Sequence, residues 1–265
     1  ARGDIVGYFQ VDEVVAVPGS SGATGTELGS ASGRTYFPQT VAERVRRSLA
    51  GSGLADGVTA AILEDVAAQA PARRRNEPRV TMLGADPSSM AGFGEIRAVS
   101  GGTVTLAELG AREAYLNREA ADELGAAAGD RIVVLAGGRP SPLVVRDVVS
   151  YDGGGTDESG LLTRLRTAQA IVDALGRVNR VLISNRGGAT SGAALSDQVL
   201  ERVRPAVEPV GLEATDAKRE ALDTADEAGG AFMSFFTTFG SFSIAAGVLL
   251  IFLIYPVLVC AQEPD

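Results

Sequence analysis

The chain has 265 residues, a formal net charge of −9, one cysteine, one lysine and no histidine. This acidic balance excludes an extended nucleic-acid surface, which needs a clustered excess of Lys and Arg. The absence of His removes the usual general base and the commonest metal ligand, and a lone Cys260 excludes both a disulfide framework and a thiolate metal cluster.

The first residue is Ala1 rather than Met, so a signal peptide or an earlier membrane span is expected upstream. Ile5 to Val17 contains two short β-rich runs, and Gly19 to Gly33 is a Gly/Ser loop. Thr40-Val41-Ala42-Glu43 has the form of a capping box, after which Val41, Val45 and Leu49 line one helical face. Val58 to Val66 reads as the next strand, completing a β-α-β unit. Arg73, Arg74 and Arg75 lie between Pro71 and Pro78 and read as a solvated loop.

From Arg79 to Ser150 the texture is different. Val80 to Leu83 and Thr103 to Leu106 read as short strands, and Asn117 to Leu124 as a short helix ending at Gly125. Arg131 to Ala136 and Leu143 to Val149 form a hairpin across Gly137-Gly138-Arg139-Pro140. Helical texture then returns. Leu161, Leu165, Ala168, Val172 and Leu175 make a stripe closed by Gly176. Val178 to Ser184 is a strand, Ser196 to Val203 a helix with Leu195, Val199 and Val203 on one face, and Leu212 to Ala214 a short strand. The expected fold class is α+β, in two subdomains: a membrane-proximal α/β part (1–78 and 151–215) interrupted by a β-rich insert (79–150).

Asp216 is an N-cap for the helix that follows, with Glu220, Asp223, Asp226 and Glu227 on its wet face. Leu222, Ala225, Gly229, Phe232, Phe236 and Phe239 recur at alternating spacings of three and four, a heptad-like stripe. Residues 216–230 are therefore a stalk, and Gly229 and Gly230 are its candidate hinge. No charged residue occurs from Ala228 to Gln262. A hydrocarbon core of about 30 Å needs around 20 apolar residues, and the uncharged run exceeds that, so 231–260 is expected to cross a lipid bilayer. Gly240, Ala246 and Gly247 would let a partner helix approach closely. The stalk can carry motion between domain and bilayer or serve as a simple spacer. The tail, 261–265, is acidic and offers no basic residue to orient the span.

The residues support no catalytic, cofactor or metal constellation. The loop from Gly19 to Thr26 lacks the Gly-Lys-Ser/Thr ending of a phosphate loop. A Ser-His-Asp triad is impossible, and Lys218 lies on the charged face of the stalk. Glu64-Asp65, Asp122-Glu123 and Asp226-Glu227 are sequence neighbours that point apart. Asp152 and Asp157 flank three glycines without EF-hand spacing and read as a plain loop. An enzyme is not expected.

Several stretches resemble the FtsX-like permeases of ATP-binding-cassette systems, which carry a MacB-like extracytoplasmic domain. They are Glu113 to Asn117, Leu124-Gly125 and Gly129-Asp130 before the hairpin, then Leu165 to Gln169 and Val178 to Ser184, and finally Phe236 to Leu253 with Phe239-Gly240 and Phe242 to Gly247. The resemblance implies a mechanical role: a cytoplasmic ATPase drives membrane helices, and the outer domain moves with them to export substrates or handle lipoproteins and the cell envelope. It also implies a bacterial cell-membrane location, the lipid bilayer and other transmembrane helices or subunits as partners, and no cofactor. Family members normally have a span before the domain and more than one after it. The alternative is a single-span accessory or structural subunit of a larger membrane complex, without transport activity of its own.

Overall fold

Glu13, Val14, Val15 and Ala16 form a strand (β1, Glu13–Ala16) buried along its whole length. In the computed structural model, residues 11–18, 36–151, 158–187, 192–217 and 219 are described. A strand buried on both faces needs neighbours on both edges, because its backbone groups have no water to pair with. Here β12 (Arg180–Asn185) and β13 (Glu213–Asp216) supply them, both antiparallel.

The helix α1 (Thr40–Leu49) lies between β1 and β3 (Ala55–Ala70), and buries Val41, Val45 and Leu49 as the spacing predicts. The capping box does not form. The N-cap is Gln39, without a side-chain cap, and Glu43 instead pairs with Arg46 at 2.5 Å. β1 and β3 sit on either side of β12, each antiparallel to it, so the expected β-α-β unit is present with one strand inserted.

β3 is the spine of the domain. Its first half pairs with β12 (Ala61↔Arg180), its second half with β8 (Arg131–Ala136; Ala68↔Val134), and its other edge with β4 (Arg75–Ala85). The register of β3 with β4 shifts between Val66 and Ala68, where β3 changes partner, as a bulge that bends the strand allows. The remaining strands of this part are β7 (Glu113–Asn117), β9 (Arg139–Tyr151) and β10 (Gly160–Arg164). Their pairings close on themselves in the order β3-β4-β10-β7-β9-β8-β3, a six-strand ring. From the first half of β3 the sheet continues as β12-β1-β13, and from β9 as β5 (Ile96–Ala98) and β6 (Thr103–Val104). A small separate ribbon pairs β2 (Phe37–Pro38) with β11 (Arg177–Val178).

Apolar residues of four helices, α1, α2 (Arg118–Leu124), α3 (Leu165–Ile171) and α4 (Ser196–Val207), join one core with Val15, Ile62, Val80, Met82, Leu116, Val134 and Ile183. A second core gathers Val11, Val14, Ala61, Leu83 and Leu182 beneath Phe93, Leu106, Leu109 and Tyr115. The short α2 carries the local signals expected of it: the Asn117 side chain accepts from Ala120 N at 2.9 Å, and Gly125 ends the helix in the left-handed region. Arg73 and Arg75 are not simply solvated. Arg73 pairs with Asp130, and Arg75 donates to the Asp122 and Glu123 carbonyls at the C-terminus of α2.

The structure revises three further expectations. Leu161 lies in β10, and α3 begins only at Leu165, because β10 is held between β4 (parallel) and β7 (antiparallel) and this pairing overrides the helical spacing. Leu175 is 66% exposed and seals no stripe. The hairpin turn is shorter than expected: Ala136 pairs with Arg139 across Gly137-Gly138, both at positive φ, and Pro140 is already in the strand.

Helix α3 crosses β4 at Gly84, where an added Cβ would fall 2.2 Å from the Ala168 Cβ. Gly84→Val should therefore destabilise the domain by about 1–3 kcal/mol, as overpacking does. Urea unfolding followed by tyrosine fluorescence measures this, and an unchanged midpoint would show that α3 does not pack so closely.

Candidate functional site

The segments before and after the described domain leave it at one point, because β1 and β13 run antiparallel with Glu13 directly opposite Asp216. Directly paired residues share a face, so both acidic side chains lie on the same side of the sheet as Val15, Ile183 and Ala214. Polar groups gather here. Asp12 Oδ2 accepts from Asn185 N at 2.8 Å, and Asn185 Nδ2 donates to Glu13 Oε1 at 2.6 Å and to the Gly192 carbonyl at 3.0 Å. A side chain at 192 would displace Asp12, since its Cβ would lie 2.9 Å from Asp12 Oδ1.

Asp12, Glu13, Asn185 and Ser196 are all inaccessible to solvent. Glu13 Oε2, Asn185 Oδ1 and Ser196 Oγ have no hydrogen-bond partner among the described residues. Burial pushes the Glu13 carboxyl up to about 8; the Ser196 and Asn185 side chains pull the other way, and the charges of Asp12 and Asp216 add to the rise. Just beyond, Asp216 Oδ1 accepts from Arg219 N at 2.8 Å, as expected of an N-cap. The Arg219 guanidinium lies 3.4 Å from Asp216 Oδ2 and 3.2 Å from Asp197 Oδ1. Ala217 is buried in the second core with Val14, so the outgoing chain is held by packing as well as by polar contacts.

Two other places gather polar side chains. An open cleft of about 720 Å³ is lined by Glu43, Arg46, Asp56, Asp86, Ser88 and Arg186, but Arg46 is already paired with Glu43, and Arg186 with Asp56 at 3.7 Å. Glu77 and Glu123 share a hydrogen bond across a small hollow that also holds Ser159; burial and this contact raise the Glu77 pKa, while the same contact lowers that of Glu123. No group of three or more metal-ligating side chains occurs among the described residues. Glu64 and Asp65 point apart as expected, Glu64 bonding to Tyr36 and Asp65 to Thr81.

No protein-family model matches the chain, and no curated protein does. Solved structures do. The periplasmic region of MacB from Actinobacillus actinomycetemcomitans has a TM-score of 0.50 at 11% identity, over 84% of this chain and 96% of that one. The fold is MacB-like. The extracellular domain of the noncanonic ABC-type transporter YknZ from Gram-positive bacteria has a TM-score of 0.48 at 14% identity, covering 77% of this chain and 99% of that one.

In this MacB-like domain the helix-packing candidates Gly240, Ala246 and Gly247 and the hinge candidates Gly229 and Gly230 lie outside the described residues, as do the Gly19–Gly33 loop and Asp152 to Asp157. No helix among the described residues is long and apolar enough to cross a membrane. The buried cluster escaped sequence reading. Glu13 is far in sequence from Asn185, Ser196 and Asp216, and no local spacing links them; the one available signal was a pair of acids at the head of an apolar strand.

Unfolded, Glu13 titrates near 4.5; folded, near 8. Between these values only the folded state keeps the proton, so this group makes stability fall as pH rises through the window, by about tenfold in the folding equilibrium per pH unit, and level off above it. Urea unfolding of the full chain in detergent from about pH 5 to pH 8 should show this decline. Glu13→Gln should remove it; an equally steep decline in that variant would contradict the assignment.

Proposed function

We propose that the chain is the extracytoplasmic domain and adjoining membrane helix of an FtsX/MacB-like ABC transporter permease. In this reading, 216–230 is the stalk, 231–260 the transmembrane helix, and 79–150 the β-rich insert of a two-subdomain outer part. The bacterial cell membrane holds the protein with the domain outside. Its partners are the bilayer, other transmembrane helices and a cytoplasmic ABC ATPase. The domain transmits motion and carries out no bond-making step.

One observation carries the reading. Incoming and outgoing strands pair side by side in a domain whose fold is shared with the periplasmic region of MacB. A shift of either leg along its axis must shear the β1–β13 ladder or move β12 and β3 with it. Since β3 continues into the six-strand ring, the shift reaches the far end through backbone hydrogen bonds rather than side-chain contacts. That geometry suits a part moved from outside itself.

Two measurements test this. Val99 is exposed, so Val99→Cys in a Cys260→Ala background should react with a membrane-impermeant maleimide in intact cells; labelling only after lysis would overturn the outside location. Purification from native membranes should bring down a subunit that hydrolyses Mg-ATP. Its consistent absence would overturn the permease reading in favour of an accessory subunit.

A further inference from the structure

The β1–β13 junction is closed by buried polar groups whose hydrogen bonding is incomplete. Glu13 Oε1 receives Asn185 Nδ2, and the Ser196 hydroxyl lies near enough to favour the charged carboxylate, but Glu13 Oε2 makes no hydrogen bond of good geometry among the described residues. Asn185 Oδ1, on the amide already bonded to Glu13, also lacks a partner, as does Ser196 Oγ. All three residues are inaccessible to solvent. Buried polar atoms left unpaired in this way are costly, and each such group in a native structure calls for an explanation.

A single proton on Oε2 supplies it. The carboxylic acid then donates from Oε2, and the adjacent acceptors without a partner are Asn185 Oδ1 and Ser196 Oγ. With Asn185 Oδ1 the acid and amide form a two-bond ring, each group donating once and accepting once. The charges around the site favour this state. Asp12 immediately precedes Glu13 in the chain, and Asp216 faces it from β13. Asn185 on β12 and Ser196 at the start of α4 contribute neutral groups. Arg219, the cation beside Asp216, is engaged with both Asp216 and Asp197. A third negative charge would therefore sit among carboxylates without a cation of its own.

We propose that the Glu13 carboxyl is a proton-operated latch: protonated, it joins β1 to β12 and α4 and holds β1 and β13 together where both legs leave the domain; deprotonated, it repels Asp12 and Asp216 and loosens that junction. The proton passes to solvent as pH rises and returns as it falls, with no other reactant. The latch is local to the domain and stands whether or not the chain belongs to a transporter.

Hydrogen exchange of the full chain in lipid nanodiscs tests it. After correction for base-catalysed exchange, protection of Val14–Ala16 and Ala214–Asp216 should fall about tenfold or more between about pH 6 and pH 9, and by more than that of β7 and β10. Glu13→Gln should keep β1 and β13 protected at both pH values. Asp216→Asn removes one repelling charge, so the proton titration of Glu13, followed by carboxyl carbon NMR, should shift to lower pH than in wild type; an unchanged titration would overturn the role of that charge. Equal protection of wild type at both pH values would overturn the proposal, as would a pH-dependent loss that persists in Glu13→Gln. If Glu13→Gln does not fold, a Glu13 titration in the wild type at the ordinary carboxylate value overturns it instead.

Discussion

The antiparallel pairing of β1 with β13 is the constraint on which the rest of this domain depends. Four residues on each side, from Glu13↔Asp216 to Ala16↔Glu213, bring together parts of the chain that lie about two hundred positions apart. Loop closure over such a separation is entropically costly, so the pairing must be secured by what lies around it. Apolar burial does this on both faces. Val15 and Ala214 pack in the helix-lined core, and Val14, Ala16 and Ala217 in the core beneath Phe93 and Tyr115.

From that junction the backbone connection runs through main-chain ladders. β1 pairs with β12, β12 with the first half of β3, and the second half of β3 with β8 in the ring. A change of partner part-way along one strand is unusual in a simple sheet. Here the register shift near Val66 accommodates it, so one continuous strand serves both the open sheet and the ring. Side chains brace the path at defined points. Asn117 links β7, α2 and β10 by accepting from Ala120 N and Gly160 N, and Asn179 bridges to both backbone groups of Leu63.

Local signals were legible in the sequence where local chemistry decides the outcome. Asn117 and Gly125 delimit α2, the Val41-Val45-Leu49 spacing marks α1, and two glycines mark the β8–β9 turn. The signals failed where a distant partner decides. Leu161 has helical spacing to Leu165, yet β4 and β7 claim it for a strand. Thr40 and Glu43 have capping spacing, but the helix begins at Thr40 itself and Glu43 turns to Arg46. A true capping box forms instead at Thr105 and Glu108, opening a short 3-10 turn where the sequence predicts the end of a strand. The Glu13 cluster is the extreme case. Its members come from four separate elements, and only the folded sheet brings them together.

The central claim, that the two legs of this domain are joined where they leave it, can be tested by cross-linking. Ala16→Cys and Glu213→Cys, introduced together with Cys260→Ala into the full chain in native membranes, place two thiols at directly paired positions. The account predicts an intramolecular disulfide on mild oxidation, at a Cα separation within the bonding range of about 4.4–6.8 Å. Failure to form that bond, while the protein remains folded, would contradict it.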